Sequence, residues 1–280
     1  MIISVRCFLV GALALGCFVS CTTVEPLPVT DAVRDASFVP FKGVTVGSEL
    51  LSRHVQKRTA FLLSGVDLPE VTNADETSVR GAGDSSGAVY YGSAAAIDRR
   101  GYFVTAAHCV EDNPDKLRLT FLNDGAISVR QARVVYMGNP STDNSDFAIV
   151  HVPMILSDVF DWADQFGMED PVMCSGAEQA GDGSRKHFKM VMSGGSIKAL
   201  ENRVDSGNAY EIIRHSAPIY HGNSGGPLVD LQGRLVGVNF SATFSGGFMK
   251  KPSMKYSSAI RPDVKWVQRI IAKDLESQNW

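Results

Sequence analysis

The chain has 280 residues, of which 44% are hydrophobic and 20% charged, with a net charge of −3 at neutral pH. That composition holds enough apolar material for a sizeable core and excludes a disordered or fibrous chain. The near-balanced charge, without a long basic run, argues against nucleic acid as a partner.

The first residues, "MIISVRCFLVGALALGCFVSCTT", carry one arginine and then an apolar stretch from Cys7 to Val19. A bilayer span needs about 20 apolar residues, so this shorter stretch reads as the core of a secretory signal over residues 1–20. "VSC", ending at Cys21, resembles a relaxed bacterial lipoprotein box, in which the cysteine becomes the lipidated N-terminus. Cys17 in "LGC" competes, but Cys21 leaves the longer apolar run upstream. The expectation is an exported protein held at a bacterial membrane and facing the periplasm or cell surface. An ordinary secretory signal and an uncleaved anchor are the alternatives. Of the five cysteines, only Cys109 and Cys174 lie beyond this segment. One bridge between them is open to them, and two small buried thiols are the simpler expectation.

Residues 21–87 read as a tether or N-terminal extension. Its proline-containing start suits a spacer. "SELLSRHVQKRTAFLL" (Ser48–Leu63) is expected to form a short helix, capped by Ser48, with Leu50, Leu51 and Val55 on one side. Thr72–Gly87 is polar, rich in Gly and Ser, and reads as a loop. Short strand-like runs then follow at Val89–Ile97, Tyr102–Ala106, Leu117–Leu122, Ser128–Met137, Phe147–Val152, Val172–Ser175, Phe188–Ala199, Tyr210–Arg214, Gly226–Val229, Leu235–Phe240 and Tyr256–Ile260. Strands in this number, with no helical pattern between them, predict closed antiparallel barrels in an all-β domain over residues 88–280. "RPDVKWVQRIIAKDLESQ" predicts a terminal helix, with Pro262 in its first turn and Val264, Val267, Ile270, Ile271 and Leu275 along its apolar face.

Three segments carry the chemistry. "YFVTAAHCV" puts His108 at the end of an apolar strand, "SDFAIVHV" puts Asp146 just before one, and "HGNSGGPLV" surrounds Ser224 with glycines. A serine hydroxyl is a weak nucleophile until an imidazole takes its proton. The imidazole in turn needs a carboxylate to fix its tautomer. The oxyanion formed on attack needs preorganised donors, which the N–H groups of Gly222 and Ser224 can supply if the backbone turns as glycine allows. The order His…Asp…Ser differs from that of the α/β-hydrolases and of the subtilisin type.

These segments resemble the three catalytic segments of the trypsin-like serine proteases, and the bacterial HtrA-like branch in particular. The resemblance implies two antiparallel six-stranded β-barrels of the chymotrypsin type with a C-terminal α-helix. Their cleft would hold His108 as base and then acid, Asp146 as its orienting group and Ser224 as nucleophile. It implies hydrolysis of protein or peptide substrates with no cofactor and no metal. Three departures matter. Asn223 stands where animal digestive members carry the aspartate that pairs with a newly cut N-terminus, so no activation of that kind is expected. Cys109 has no upstream partner in "VYYGSAAAI". No PDZ module is expected after the terminal helix. Pro218 occupies the pocket-floor position of the Arg/Lys-cleaving members and Asn239 that of a histidine in Glu-cleaving ones, so an apolar or small residue is expected before the scissile bond. His54, His151, His187, His215 and His221 lack metal-ligand spacing. His215 and His221 flank the serine loop, where a packed or solvated role is the simpler reading. A surface lipoprotein that keeps the fold for binding, with hydrolysis lost, is the rival function, and an esterase is a third.

Overall fold

The computed structural model describes residues 37–38, 49–65, 90–139, 141, 145–180, 187–245 and 253–278. The signal, both candidate lipidation cysteines, the Ser48 cap and the Thr72–Gly87 loop lie outside them. The elements in order are β1 (Ser37–Phe38), α1 (Glu49–Gln56), β2 (Thr59–Ser64), β3 (Tyr90–Asp98), β4 (Tyr102–Thr105), a 3-10 turn (Ala107–Cys109), β5 (Leu117–Asn123), β6 (Ala126–Met137) and β7 (Ala148–His151). Then come β8 (Pro171–Ala180), β9 (His187–Asp205), β10 (Asn208–His215), β11 (Pro227–Asp230), β12 (Leu235–Ser245), β13 (Ser253–Pro262) and α2 (Val264–Ser277).

Strands β2-β3-β4-β7-β6-β5 close into one barrel. The second sheet runs β9-β10-β13-β12-β11-β8, with β8 pairing back to β9, so six strands form a second ring, and β1 adds to β9 in parallel at its edge. The architecture expected from the alternating apolar runs is the one adopted, and every expected strand exists.

The N-terminal side departs from expectation. The helix stops at Gln56, and the remaining "TAFLLS" is β2, buried along its length and paired with both β3 and β5. The first barrel therefore takes a strand from the segment read as tether. Phe61, Leu62 and Leu63 are all core side chains. At about 1.5–3 kcal/mol each they contribute on the order of the net stability of a whole domain, so the folded unit starts before residue 88. Leu51 and Val55 of α1 are buried, whereas Leu50 is 77% exposed. The helix reaches the second barrel through His54, whose Nε2 lies 3.1 Å from the Gly233 carbonyl in the β11–β12 turn, and Arg58, just after the helix, donates Nε to the Val159 carbonyl at 2.8 Å.

At the other end, Pro262 closes β13 rather than opening the helix, because Asp263 is the cap, accepting from the amides of Lys265 and Trp266. Val267 and Ile271 of α2 are buried. Asp274 anchors the helix on the first barrel: it accepts from Tyr102 Oη at 2.7 Å and from Arg133 Nη1 at 2.9 Å. One apolar cluster runs through both barrels, and a smaller one fills the second around Ile213, Leu228 and Val236. Cys109 and Cys174 are both free thiols and both buried, as small core residues.

Candidate active site

The first barrel brings His108 to Asp146 through strand pairing. Strands β4 and β7 are wholly buried and antiparallel, with Thr105 opposite Ala148. His108 follows Thr105 by one short 3-10 turn, and Asp146 precedes Ala148 by two residues, so the register itself makes them neighbours. His108 Nδ1 lies 2.7 Å from Asp146 Oδ2, and the His108 backbone N–H donates to Oδ1 at 3.0 Å. A carboxylate only accepts, so in the neutral ring Nδ1 carries the proton and Nε2 is the free base. Burial alone would lower the His108 pKa, but the Asp146 hydrogen bond and the adjacent Cys109 thiol outweigh it and raise the pKa above the ordinary imidazole value.

The second barrel supplies the serine loop, between β10 and β11. Gly222 has φ +90°, and a Cβ there would lie 2.5 Å from the Ala177 carbonyl oxygen and 2.6 Å from the Tyr91 ring. Only glycine fits that turn. Gly225 has φ +81°, and a Cβ would lie 2.0 Å from the Ser93 carbonyl oxygen. Among the described residues neither the Gly222 nor the Ser224 amide N–H finds an acceptor, so two amide donors are left over in one turn. The Ser224 hydroxyl donates to the Phe240 carbonyl at 3.4 Å. Residues 222–226 spell G-x-S-x-G, but strand β11 follows and no helix does, so this is not the strand-to-helix elbow of the α/β-hydrolases.

Asn223 is 2% exposed and its amide is used on both sides: Nδ2 donates to the Ala177 carbonyl at 2.9 Å, and Oδ1 accepts the Tyr220 N–H at 2.9 Å. A neutral side chain thus braces the loop.

One residue absent from the sequence reading ties the halves together. Ser93 on β3 donates its N–H to the Ser224 carbonyl at 2.8 Å and its hydroxyl to the Gly222 carbonyl at 2.7 Å, while Thr105 Oγ1 donates to the Ser93 carbonyl at 2.7 Å. The strand leading to His108 is therefore hydrogen-bonded, through one residue, to the loop carrying Ser224. Asn239 on β12 grips the residues after the serine: its Nδ2 donates to the Gly226 and Pro227 carbonyls, both at 3.1 Å, and its own carbonyl accepts the Gly225 N–H at 2.7 Å. Its Oδ1 faces His215 Nε2 at 3.1 Å, so Nε2 carries the proton there. His215 Nδ1 approaches the Ala217 backbone without hydrogen-bond geometry, and burial drives the pKa down to about 4, leaving a neutral ring. No sequence signal short of the fold pairs these positions. His221 is exposed. Pro218 turns its carbonyl to Ser193 Oγ and Cys174 Sγ. Among the described residues no three His, Cys, Asp or Glu side chains cluster as metal ligands.

The model of the trypsin-like peptidase domain matches residues 92–238, more than half the chain. Curated relatives include proteins named as probable periplasmic serine endoproteases, DegP-like. That of Pseudomonas fluorescens is 40% identical over 68 residues, 24% of this chain and 14% of the relative. That of Halomonas elongata is 30% identical over 159 residues, 56% of this chain and 31% of the relative. That of Bartonella henselae is 27% identical over 193 residues, 69% of this chain and 35% of the relative. The chain thus spans about a third or less of the relatives it matches. Among solved structures, the active form of the Rv3671c protease from M. tuberculosis superposes with TM-score 0.52 at 18% identity, covering 80% of this chain and 83% of that one. The HtrA-type protease AlgW, solved with a tripeptide, gives TM-score 0.53 at 21% identity, covering 81% of this chain and 63% of that one. At such identities the structures speak to the fold, which they share with it. On the match over residues 92–238, the chain belongs to the trypsin-like peptidase family.

Proposed function

We propose that the chain is an exported serine endopeptidase, with Ser224 as nucleophile, His108 as general base and then acid, and Asp146 as the group that orients it. The observation that carries the reading is the His108 ring held by Asp146 at 2.7 Å, with the Ser224 loop hydrogen-bonded to the same barrel through Ser93. The serine hydroxyl leaves the Phe240 carbonyl, gives its proton to His108 Nε2 and attacks the scissile carbonyl. The unpaired amides of Gly222 and Ser224 receive the developing oxyanion. His108 then protonates the leaving amine, and water repeats the sequence on the acyl-enzyme. Substrates are proteins or peptides with a small or apolar residue before the cut bond, since neither Pro218 nor the fully engaged Asn239 offers a charge to hold one. The periplasmic names of the relatives support export, and attachment through a lipidated Cys21 follows from the sequence box.

Incubating the protein and its Ser224→Ala variant with casein, together with fluorophosphonate labelling, tests the reading. Cleavage and labelling by the parent, both lost in the variant, are expected. Cleavage that survives in Ser224→Ala, or absence of cleavage and labelling in the folded parent, refutes it.

A further inference from the structure

We infer that Asp205 is a positioning residue for this site: through Ser145 it fastens the loop carrying Asp146 to the second barrel. The inference rests on the proposed roles of His108, Asp146 and Ser224. Those roles demand that two barrels hold one angle, because the base and its carboxylate ride on the first and the nucleophile on the second.

The β9–β10 hairpin turns through Ser206 and Gly207, with φ +50° and +80°. Its register sets Asp205 opposite Asn208 and Arg203 opposite Tyr210. Directly opposed residues share a face, as do residues two apart along a strand, so Asp205 and Tyr210 point the same way. That face meets the first barrel twice. Tyr210 Oη lies 3.0 Å from Tyr136 Oη on β6. Asp205 Oδ2 accepts a hydrogen bond from Ser145 Oγ. Ser145 is fully buried, and its Oγ also accepts the Asn139 N–H at 3.1 Å, which orients the hydroxyl proton toward the carboxylate.

The next residue is Asp146, and the turn that holds it is tight: Phe147 N–H donates to the Ser145 carbonyl at 2.7 Å, and Gly138 N–H to the Phe147 carbonyl at 2.8 Å. Trp266 of α2 closes the cluster, with its ring centroid 4.7 Å from that of Tyr136, 5.9 Å from Tyr210 and 6.3 Å from Phe147. The barrels are therefore tied on the serine side by Ser93 and on the aspartate side by Asp205. A hydroxyl-to-carboxylate bond is of the stronger, charge-assisted kind, suited to holding a single geometry.

The test compares the parent with Asp205→Ala, Asp205→Asn, Ser145→Ala, the double alanine variant, and Arg203→Ala as a control on the same hairpin. Two readouts are taken: kcat and KM on a fluorogenic peptide that the parent cleaves, and the proton NMR signal of the His108 Nδ1–H. Loss of the tie should lower kcat about tenfold or more in Asp205→Ala and in Ser145→Ala, with KM within about twofold, because misplacement acts on the reacting geometry. The double variant should be no worse than either single one, since both remove one interaction. Asp205→Asn, whose amide oxygen still accepts the hydroxyl, should recover most of the rate, and Arg203→Ala should match the parent. The His108 signal should shift or broaden in the two alanine variants only. Unchanged kcat with an unmoved His108 signal in Asp205→Ala overturns the inference, even if thermal stability drops, and so do losses that add in the double variant. A folded parent that cleaves nothing refutes the catalytic reading instead, and the His108 signal then decides for or against the tie by itself.

Discussion

Replacing Asn223 by aspartate probes the serine loop most directly. The substitution changes one NH2 for one oxygen and nothing else in shape. Oδ1 keeps the Tyr220 N–H, but the other oxygen now faces the Ala177 carbonyl at the 2.9 Å where Nδ2 donated. An ionised carboxylate is then buried against a carbonyl oxygen, and buried charges left uncompensated cost about 3–5 kcal/mol. That cost corresponds to a carboxyl pKa raised by about 2–4 units above its unfolded value. Protonated, the new acid can donate to Ala177 as the amide did, so the penalty depends on pH. The native form holds the proton where the unfolded form has lost it, so the variant's deficit is full above the raised pKa and shrinks as pH falls toward the unfolded value. At about 2–4 °C per kcal/mol for a chain of this size, the melting point should fall by roughly 6–20 °C at pH 7.5, and by only a few degrees at pH 5, each measured against the parent at the same pH. Differential scanning fluorimetry reads both. An equal deficit at the two pH values, or none at either, refutes the claim that the Asn223 amide is what holds this loop.

Three further outcomes are expected. Because Asp146 and Cys109 hold the His108 pKa above the ordinary value of about 6.5, and the base must be neutral to act, kcat/KM should rise with pH along a limb centred above that value; a limb at or below it counts against the site geometry. Gly222→Ala should lower kcat by about a hundredfold or more with Ser224 still in place, since the N–H it displaces is one of the two proposed oxyanion donors; a change below about threefold contradicts that role. His215, fully buried with its pKa pushed down to about 4, must gain a charge on unfolding below about pH 6.5, so stability should be lost as pH falls from there toward 4, by roughly 3 kcal/mol; His215→Gln, which can still donate to Asn239, should flatten that part of the profile in pH-dependent denaturant melts.

What could be read in the sequence was what lies within a few residues of a strand end. His108 and Asp146 each sit beside a continuous apolar run, and the pairing of those runs brings them together. The glycines around Ser224 likewise announce their φ values locally. Strand β2 was hidden because "TAFLLS" is buried on both faces, and an unbroken apolar run after a helix looks the same whether it continues the helix or starts a strand. Pro262 was misplaced by one boundary: the dipeptide with Asp263 suits a helix start, but the aspartate takes the cap and leaves proline to the strand. Ser93, Asn239 and Asp205 carry no local signal at all. Their partners Gly222, His215 and Ser145 lie 129, 24 and 60 residues away, and only the closed barrels bring them near.

Ser93 and Asp205 also explain why the junction between the barrels is polar. An apolar seam of equal area would adhere at many offsets, because burial is not directional. A buried hydrogen-bonding group is stable only at the offset that satisfies it, and costs about 1–3 kcal/mol at any other. Ser93 uses its N–H and its hydroxyl across the junction, to the Ser224 and Gly222 carbonyls and from the Ala177 N–H, and Asp205 accepts the Ser145 hydroxyl across it. Sliding the second barrel by one residue would orphan all of them at once. The polar seam therefore selects one alignment out of those that the shared apolar cluster would tolerate. In that alignment the Ser224 carbonyl rests on the Ser93 amide and on the Cys109 thiol, beside His108.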